Sequence, residues 1–220
     1  MPAILFQNRQ DAGRQLAAKI AQDYVFNNPV VLALPRGGLP VAAAVARLLK
    51  VLLGVVIVRK LGVPWQPELA FGALAALDGT VTRIIHESIL SQLHLSQHDV
   101  QEVEMRELQT LQERRIYYRQ FCQAFSLENR SVLLVDDGLA TGASMQAAIA
   151  AVREQQPAKV IAVVPVIAPD SIAEMNQQCD ELVYLAAPVP FSAVGNYYAE
   201  FEPPGETEIR QALTGKREQG

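Results

Sequence analysis

Short, unbroken aliphatic runs stopped by glycine or proline constrain this chain more than any other feature. Val30-Val31-Leu32-Ala33-Leu34 ends at Pro35-Arg36-Gly37-Gly38, and a strand over Ser131 to Asp136 ends at Asp137-Gly138. Leu52 to Val58, Ala158 to Pro165 and Glu181 to Leu185 are similar runs. Strands with no polar alternation are buried on both faces, which is the condition of a parallel sheet covered by helices. The segments between them have helical spacing: Asn8 caps a helix to about Gln22, Pro40 to Leu49 forms the next, and Gly142 to Glu154 and Pro169 to Gln177 follow. Strand and helix alternate, so the expected fold is α/β: a parallel five-stranded core sheet flanked by helices. The common order 2-1-3-4-5 makes the first and third strands neighbours, with the loops after Leu34 and Val135 facing across the crevice at that reversal.

Two segments interrupt the alternation. Gly72 to Leu77 and Thr80 to Ile84 flank Asp78-Gly79, a tight-turn pair, which predicts a small antiparallel β-hairpin. Residues 86–125 contain no glycine or proline and read as a long helical insertion of one or two helices. Val100, Val103, Leu108 and Leu111 form a partial apolar stripe that packs on the body, or alternatively makes a homodimer contact. The 220 residues suit a single domain over 1–220, with a tail over 188–220 whose Pro188 to Pro204 stretch is rich in proline and aromatics. Its aromatics between Val189 and Tyr198 are either part of a base-binding hood or simple packing.

Charge and composition exclude several classes. A net charge of −4 gives no basic footprint for nucleic acid. Gly37 to Val58 is long enough to span a bilayer, but Arg47 and Lys50 would each cost roughly 2.5–3.5 kcal/mol at its centre. A helix followed by a strand accounts for it, and no membrane partner is expected. Met1 to Gln10 lacks the pattern of a signal peptide, and two distant cysteines, Cys122 and Cys179, suit a reducing, cytoplasmic setting as small buried hydrophobes. His94 and His98 share a helical spacing without a third ligand, which fits residues at a helix boundary better than a metal site.

The chemistry concentrates in Val132-Leu133-Leu134-Val135-Asp136-Asp137-Gly138-Leu139-Ala140-Thr141-Gly142-Ala143-Ser144-Met145. A buried strand delivers two carboxylates, and a small-residue loop then leads into the first turn of a helix. Such a loop offers backbone N–H groups, the positive end of a helix dipole and the hydroxyls of Thr141 and Ser144, which together suit a phosphate dianion. Carboxylates beside a phosphate would only repel it unless they served another partner, and vicinal sugar hydroxyls are good donors to them. The loop has neither the Gly-Lys-Ser/Thr of a P-loop nor a GxGxxG.

This segment resembles the signature of the type I phosphoribosyltransferases. The chain as a whole is similar to a bacterial branch of predicted phosphoribosyltransferases through Leu34 to Gly38, Val58 to Pro64, Pro67-Glu68-Leu69-Ala70 and Val194-Gly195-Asn196-Tyr197-Tyr198. The resemblance implies that Asp136 and Asp137 bind the ribose hydroxyls of 5-phosphoribosyl-1-pyrophosphate (PRPP). It assigns the 5′-phosphate to Gly138 and Ala140, Thr141, Gly142, Ala143 and Ser144. Pyrophosphate goes to Arg36, Gly37 and Gly38, with Arg59 and Lys60 at the end of the second strand. Relatives often carry a non-proline cis peptide there, with Pro35-Arg36 or Arg36-Gly37 the candidate, and a mobile lid corresponding to Leu61 to Ala70. The resemblance also implies Mg2+ bound with PRPP and transfer to a base of unidentified structure, in nucleotide metabolism. Members acting on 6-oxopurines carry an Asp where this chain has Ala140, and Glu68 is the substitute acid or base. The alternative is a PRPP-binding sensor without catalysis.

Overall fold

The computed structural model describes residues 3–77 and 79–215, apart from the side chains of Pro67 and Glu68. The strands of its main sheet are β1 (Val30–Ala33), β2 (Leu53–Val55), β6 (Ser131–Val135), β7 (Lys159–Val166) and β8 (Glu181–Ala186). Their order is β2-β1-β6-β7-β8, with every neighbouring pair parallel. This is the expected five-stranded sheet in the expected order. Both faces are dry. Leu16 and Ile20 of α1 (Arg9–Asp23), with Leu39, Val41 and Val45 of α2 (Gly38–Leu49), pack on Val31, Ala33, Leu133 and Val135. Met145, Ile149 and Val152 of α5 (Ala143–Arg153), with Met175 of α6 (Pro169–Gln178), pack on Val30, Leu32, Val132 and Leu134. Successive strand residues point to opposite faces, which is why the runs carry no polar alternation.

The expected second strand, Leu52 to Val58, is two strands. β2 ends at Val55, and β3 (Ile57–Val63) leaves for a separate antiparallel sheet with β4 (Gln66–Leu77) and β5 (Thr80–Ile85). The apolar run is continuous because Val56 and Ile57 are buried in both contexts, so hydropathy does not mark the crossing. The segment 61–70, expected as a loop, is mostly the β3-β4 hairpin, with its turn at Pro64 and Trp65. The β4-β5 hairpin matches expectation, although Asp78 lies outside the described residues.

The helical insertion is two helices, α3 (Glu87–Leu93) and α4 (Gln97–Arg119). Ser96 caps α4 reciprocally with Asp99. Val100, Val103, Leu111 and Tyr118 of α4 are buried in the shared core with Ile57, Leu61 and Phe71. Leu108 is only partly buried, and the neighbouring Glu107 takes a buried place because it pairs with Arg59. Cys179 is buried, but Cys122, expected to be buried too, is only half-buried at the end of the helical segment. His94 ends α3 in a left-handed cap conformation and His98 sits in the first turn of α4. Among the described residues no helix is long and apolar enough to cross a membrane.

The helix that brings Arg9 to the sheet is set by a close approach. A Cβ on Gly13 would lie 2.8 Å from Ala44 Cβ and 2.8 Å from Val41 O, so α1 and α2 touch backbone to backbone. Gly13→Val is expected to destabilise the protein by roughly 1–3 kcal/mol through overpacking. A urea midpoint equal to that of wild type would contradict this packing.

Candidate active site

The parallel register places the ends of β1 and β6 side by side: Ala33 pairs with Val135, and the Leu34 N–H donates to Val135 O. The two loops that follow are pressed together. A Cβ on Gly37 would overlap the Asp137 carboxylate, and one on Gly38 would sit 2.6 Å from Val135 O. The Pro35-Arg36 peptide is cis, one of the two positions expected. The acidic pair therefore lies between the loop of residues 35–38 and the loop that runs into α5.

That second loop has an unusual hydrogen-bond account. The Leu139 N–H donates to Val166 O and the Gln146 N–H to Gly142 O, which pins both ends. Between them, the N–H groups of Ala140 through Met145 have no acceptor among the described residues. Gly142 takes φ 77, a left-handed conformation suited to glycine, and so turns the chain into α5. The first amides of a helix have no partner within it, and here the loop adds more of the same sign. These groups, with Lys60, Asp136, Gly138 and Val194, line a cleft of about 150 Å³. The hydroxyls of Thr141 and Ser144 have no partner among the described residues.

The carboxylates are held differently from each other. Asp136 Oδ1 accepts the Asp137 N–H at 2.8 Å. Asp137 Oδ2 accepts Arg9 Nε at 2.7 Å, and the Tyr198 hydroxyl donates to Asp137 O at 2.5 Å. Burial raises the Asp136 carboxyl well above the ordinary range, and the adjacent Asp137 charge adds to the shift. Burial raises Asp137 as well, against which the Arg9 guanidinium pulls it down. The Tyr198 phenol is also pushed up by burial and then by Asp137.

The cations are not grouped as the sequence implied. Arg59 and Lys60 do not close a core strand but sit within β3, where adjacent residues face opposite ways. Lys60 lines the cleft, whereas Arg59 turns to α4 and donates to Glu107 Oε2 at 2.8 and 2.5 Å. Arg114, on the same face of α4, has its pKa lowered by burial and then by the charges of Arg59 and Arg36. Arg36 is exposed and has no carboxylate partner among the described residues. The Glu68 side chain lies outside the described residues. Tyr197 and Tyr198 of the tail are buried in packing, and the rings of Phe6, Tyr198 and Phe201 follow one another in tilted contacts at centroid distances of 5.2 and 4.9 Å.

Sequence reasoning did not find Arg9, which reads as an ordinary first-turn arginine, nor Glu107 and Arg114 within a charged helix. Tyr198 belongs to a block singled out by resemblance, but nothing in its neighbours indicates the hydrogen bond to Asp137 O. No group of three or more His, Cys, Asp or Glu among the described residues can hold a metal.

Comparison with known proteins agrees with this geometry. A family model described as "Phosphoribosyl transferase domain" matches residues 4–70 and 79–193. A Mycobacterium tuberculosis protein named "Putative phosphoribosyl transferase" is 42% identical over 205 residues, covering 93% of this chain and 45% of that protein. The chain thus spans less than half the length of the curated relatives it matches. The crystal structure of TT1426 from Thermus thermophilus is 36% identical, with a TM-score of 0.80 over 96% of this chain and 98% of that one. AQ2163 from Aquifex aeolicus, at 12% identity and a TM-score of 0.51 over 93% and 84% of the two chains, shares the fold alone.

Because folding raises the Asp136 pKa, its ionised form opposes folding above that raised value, and the opposition fades as pH falls through it. Asp136→Asn removes the charge and keeps an oxygen for the Asp137 amide. Its thermal midpoint at neutral pH is expected to lie a few degrees above that of wild type, with the gap closing on acidification. A midpoint at or below wild type at neutral pH would contradict the burial of this carboxylate.

Proposed function

This chain belongs to the phosphoribosyl transferase domain family, and from that premise we propose that it binds PRPP with Mg2+ and transfers the phosphoribosyl group to a nitrogen nucleophile, a nucleobase, releasing pyrophosphate. The observation that carries the reading is the run of amides from Ala140 to Met145, without an acceptor among the described residues, beside Asp136. Amides and a helix N-terminus attract a dianion, while a carboxylate repels one and accepts from hydroxyls. A ligand with a phosphate at one end and a diol next to it satisfies both, as ribose 5-phosphate does.

In this reading the 5′-phosphate sits on the amides of residues 140–144 and the hydroxyls of Thr141 and Ser144. Gly138 gives the room: a Cβ there would meet the Val194 side chain. Asp136 and Asp137 accept from the ribose hydroxyls. The diphosphate lies toward Arg36, Gly37 and Gly38, with Lys60 across the cleft. Arg59 is paired with Glu107 on the far side of β3 and takes no part in this contact. In the reaction the bond from carbon 1 to the diphosphate oxygen breaks as the nitrogen lone pair forms its bond to carbon 1. The leaving group keeps the electron pair, and the nucleophile's proton passes to water or to the released pyrophosphate. Cations stabilise the charge that builds on the leaving oxygen. Mg2+ bound with the diphosphate would supply further positive charge there. Small, charged substrates of this kind suit an enzyme of cytoplasmic nucleotide metabolism.

One observation favours a second reading. Ala140 is exposed at the cleft and offers no group for proton transfer to a base. A PRPP sensor needs no such group.

Calorimetric titration with PRPP and Mg2+, followed by a pyrophosphate-release assay across a panel of bases, tests both. Wild type is expected to bind. The Asp136→Asn, Asp137→Asn double variant is expected to lose about 2–4 kcal/mol of binding, the scale of two charge-assisted hydrogen bonds. Binding with no release for any base would favour the sensor, and equal affinity in the double variant would remove the diol assignment.

A further inference from the structure

Arg9 is not among the residues that line the cleft, but it is bonded to Asp137, next to the cleft residues Asp136 and Gly138. It stands at the first position of α1 and is 8% exposed. Its Nε donates to Asp137 Oδ2 at 2.7 Å, its Nη1 donates to Glu202 O at 2.7 Å, and its guanidinium carbon lies 3.8 Å from the centre of the Phe201 ring. Two separate parts of the chain, at Asp137 and at Phe201-Glu202, thus fix the guanidinium plane. The N-terminal segment that leads into α1 is itself tied to the C-terminal segment: Phe6 bridges Tyr198, and the Ala199 N–H donates to Phe6 O.

Asp137 is held in turn from several sides. Its Oδ2 belongs to Arg9, its carbonyl oxygen accepts the Tyr198 hydroxyl, and Gly37 packs against its carboxylate without a side chain. Asp136 Oδ1 takes the Asp137 N–H, and the two carboxyls lie within hydrogen-bond reach of each other. Both residues are partly exposed. Each carboxylate therefore has one oxygen committed to a donor of the protein, and among the described residues only the neighbouring carboxyl competes for the other.

We propose that Arg9 is the positioning residue of this site, fixing Asp137 through Oδ2 so that Oδ1 is held out for a ribose hydroxyl. The inference rests on the PRPP reading and adds to it a residue, on a different element, that acts without touching the ligand. Two buried carboxylates side by side repel, and such pairs avoid double ionisation by sharing a proton. A shared proton would turn one acceptor oxygen into a donor and lower the capacity for a diol. The groups that face Asp137 are Arg9 from α1, Asp136 from the end of β6 and Tyr198 from the C-terminal segment, with Lys60 of β3 across the cleft beside Asp136. Arg9 is the one cation in contact with Asp137 among the described residues. Its removal leaves the acid pair to hold a proton at higher pH, so the loss has a direction. Affinity for a diol falls on acidification sooner than in wild type.

A residue that merely staples the fold would lower stability without moving that pH profile. PRPP and Mg2+ titrated into wild type, Arg9→Met and Arg9→Lys, from mildly acidic to mildly alkaline pH, separate the two. Arg9→Met is expected to bind about tenfold or more weakly at neutral pH, on the scale of an orienting partner removed from behind a ligand contact. Its affinity is expected to decline at a higher pH than that of wild type. Arg9→Lys is expected to restore the pH profile, though not the full affinity, because a lysine restores charge without the guanidinium fork. If Arg9→Met fails to fold by circular dichroism, Arg9→Gln, which keeps a donor and loses the charge, takes its place. Unchanged affinity and profile in the uncharged variant would overturn the role of Arg9 alone. So would weakened binding with an unmoved profile and no rescue by lysine. A wild type that binds no PRPP would overturn the parent reading and this one with it.

Discussion

The contact on which the site depends is the one between the backbone of Gly37 and Gly38 and the acidic pair at the end of β6. Parallel pairing brings the ends of β1 and β6 together in register. Two adjacent glycines then let the loops close to a distance that any side chain would prevent. Without that approach the loop after β1 would stand away from the carboxylates, and a ligand could not meet both loops at once. The sheet order, the absence of Cβ atoms and the turn at Gly142 are thus parts of one arrangement. It holds a positive loop and a negative pair within the reach of a single small molecule.

Such an arrangement opposes folding before it helps binding. Asp136 is raised by burial and by its neighbour, and the amides from Ala140 to Met145 have no acceptor among the described residues. Buried or partly buried polar groups without partners cost stability. Sites that must recognise charge accept that cost because the groups are then already oriented when the ligand arrives. Elsewhere the chain compensates. α1, the C-terminal segment and Arg9 brace Asp137, and Glu107 neutralises Arg59 where β3 meets α4. The long insertion is thereby joined to the site electrically as well as by packing, since Arg114 feels both Arg59 and Arg36.

Much of this was legible in the sequence. Runs such as Val30 to Leu34 and Val132 to Val135 identify buried parallel strands because burial on both faces removes polar residues altogether. The Asp136 to Ser144 loop is legible because its chemistry is local, with carboxylates, small residues and a helix start in one stretch. The crossing at Val56 was not, because both sheets demand an apolar residue there. The separation of Arg59 from Lys60 follows from strand alternation, but only once β3 is known to be a strand of the second sheet. Arg9, Glu107 and Arg114 were beyond reach: each is an ordinary charge on a helix, and its partner lies far along the chain. Contacts between distant segments leave no mark in either sequence neighbourhood.

The most direct measurement is a crystal structure of the protein with PRPP and Mg2+. The account predicts the 5′-phosphate oxygens within hydrogen-bond distance of the amides between Ala140 and Ser144, with the ribose hydroxyls on Asp136 and Asp137 and Arg9 still bonded to Asp137. A phosphate bound elsewhere, or a ribose turned away from both carboxylates, would contradict it.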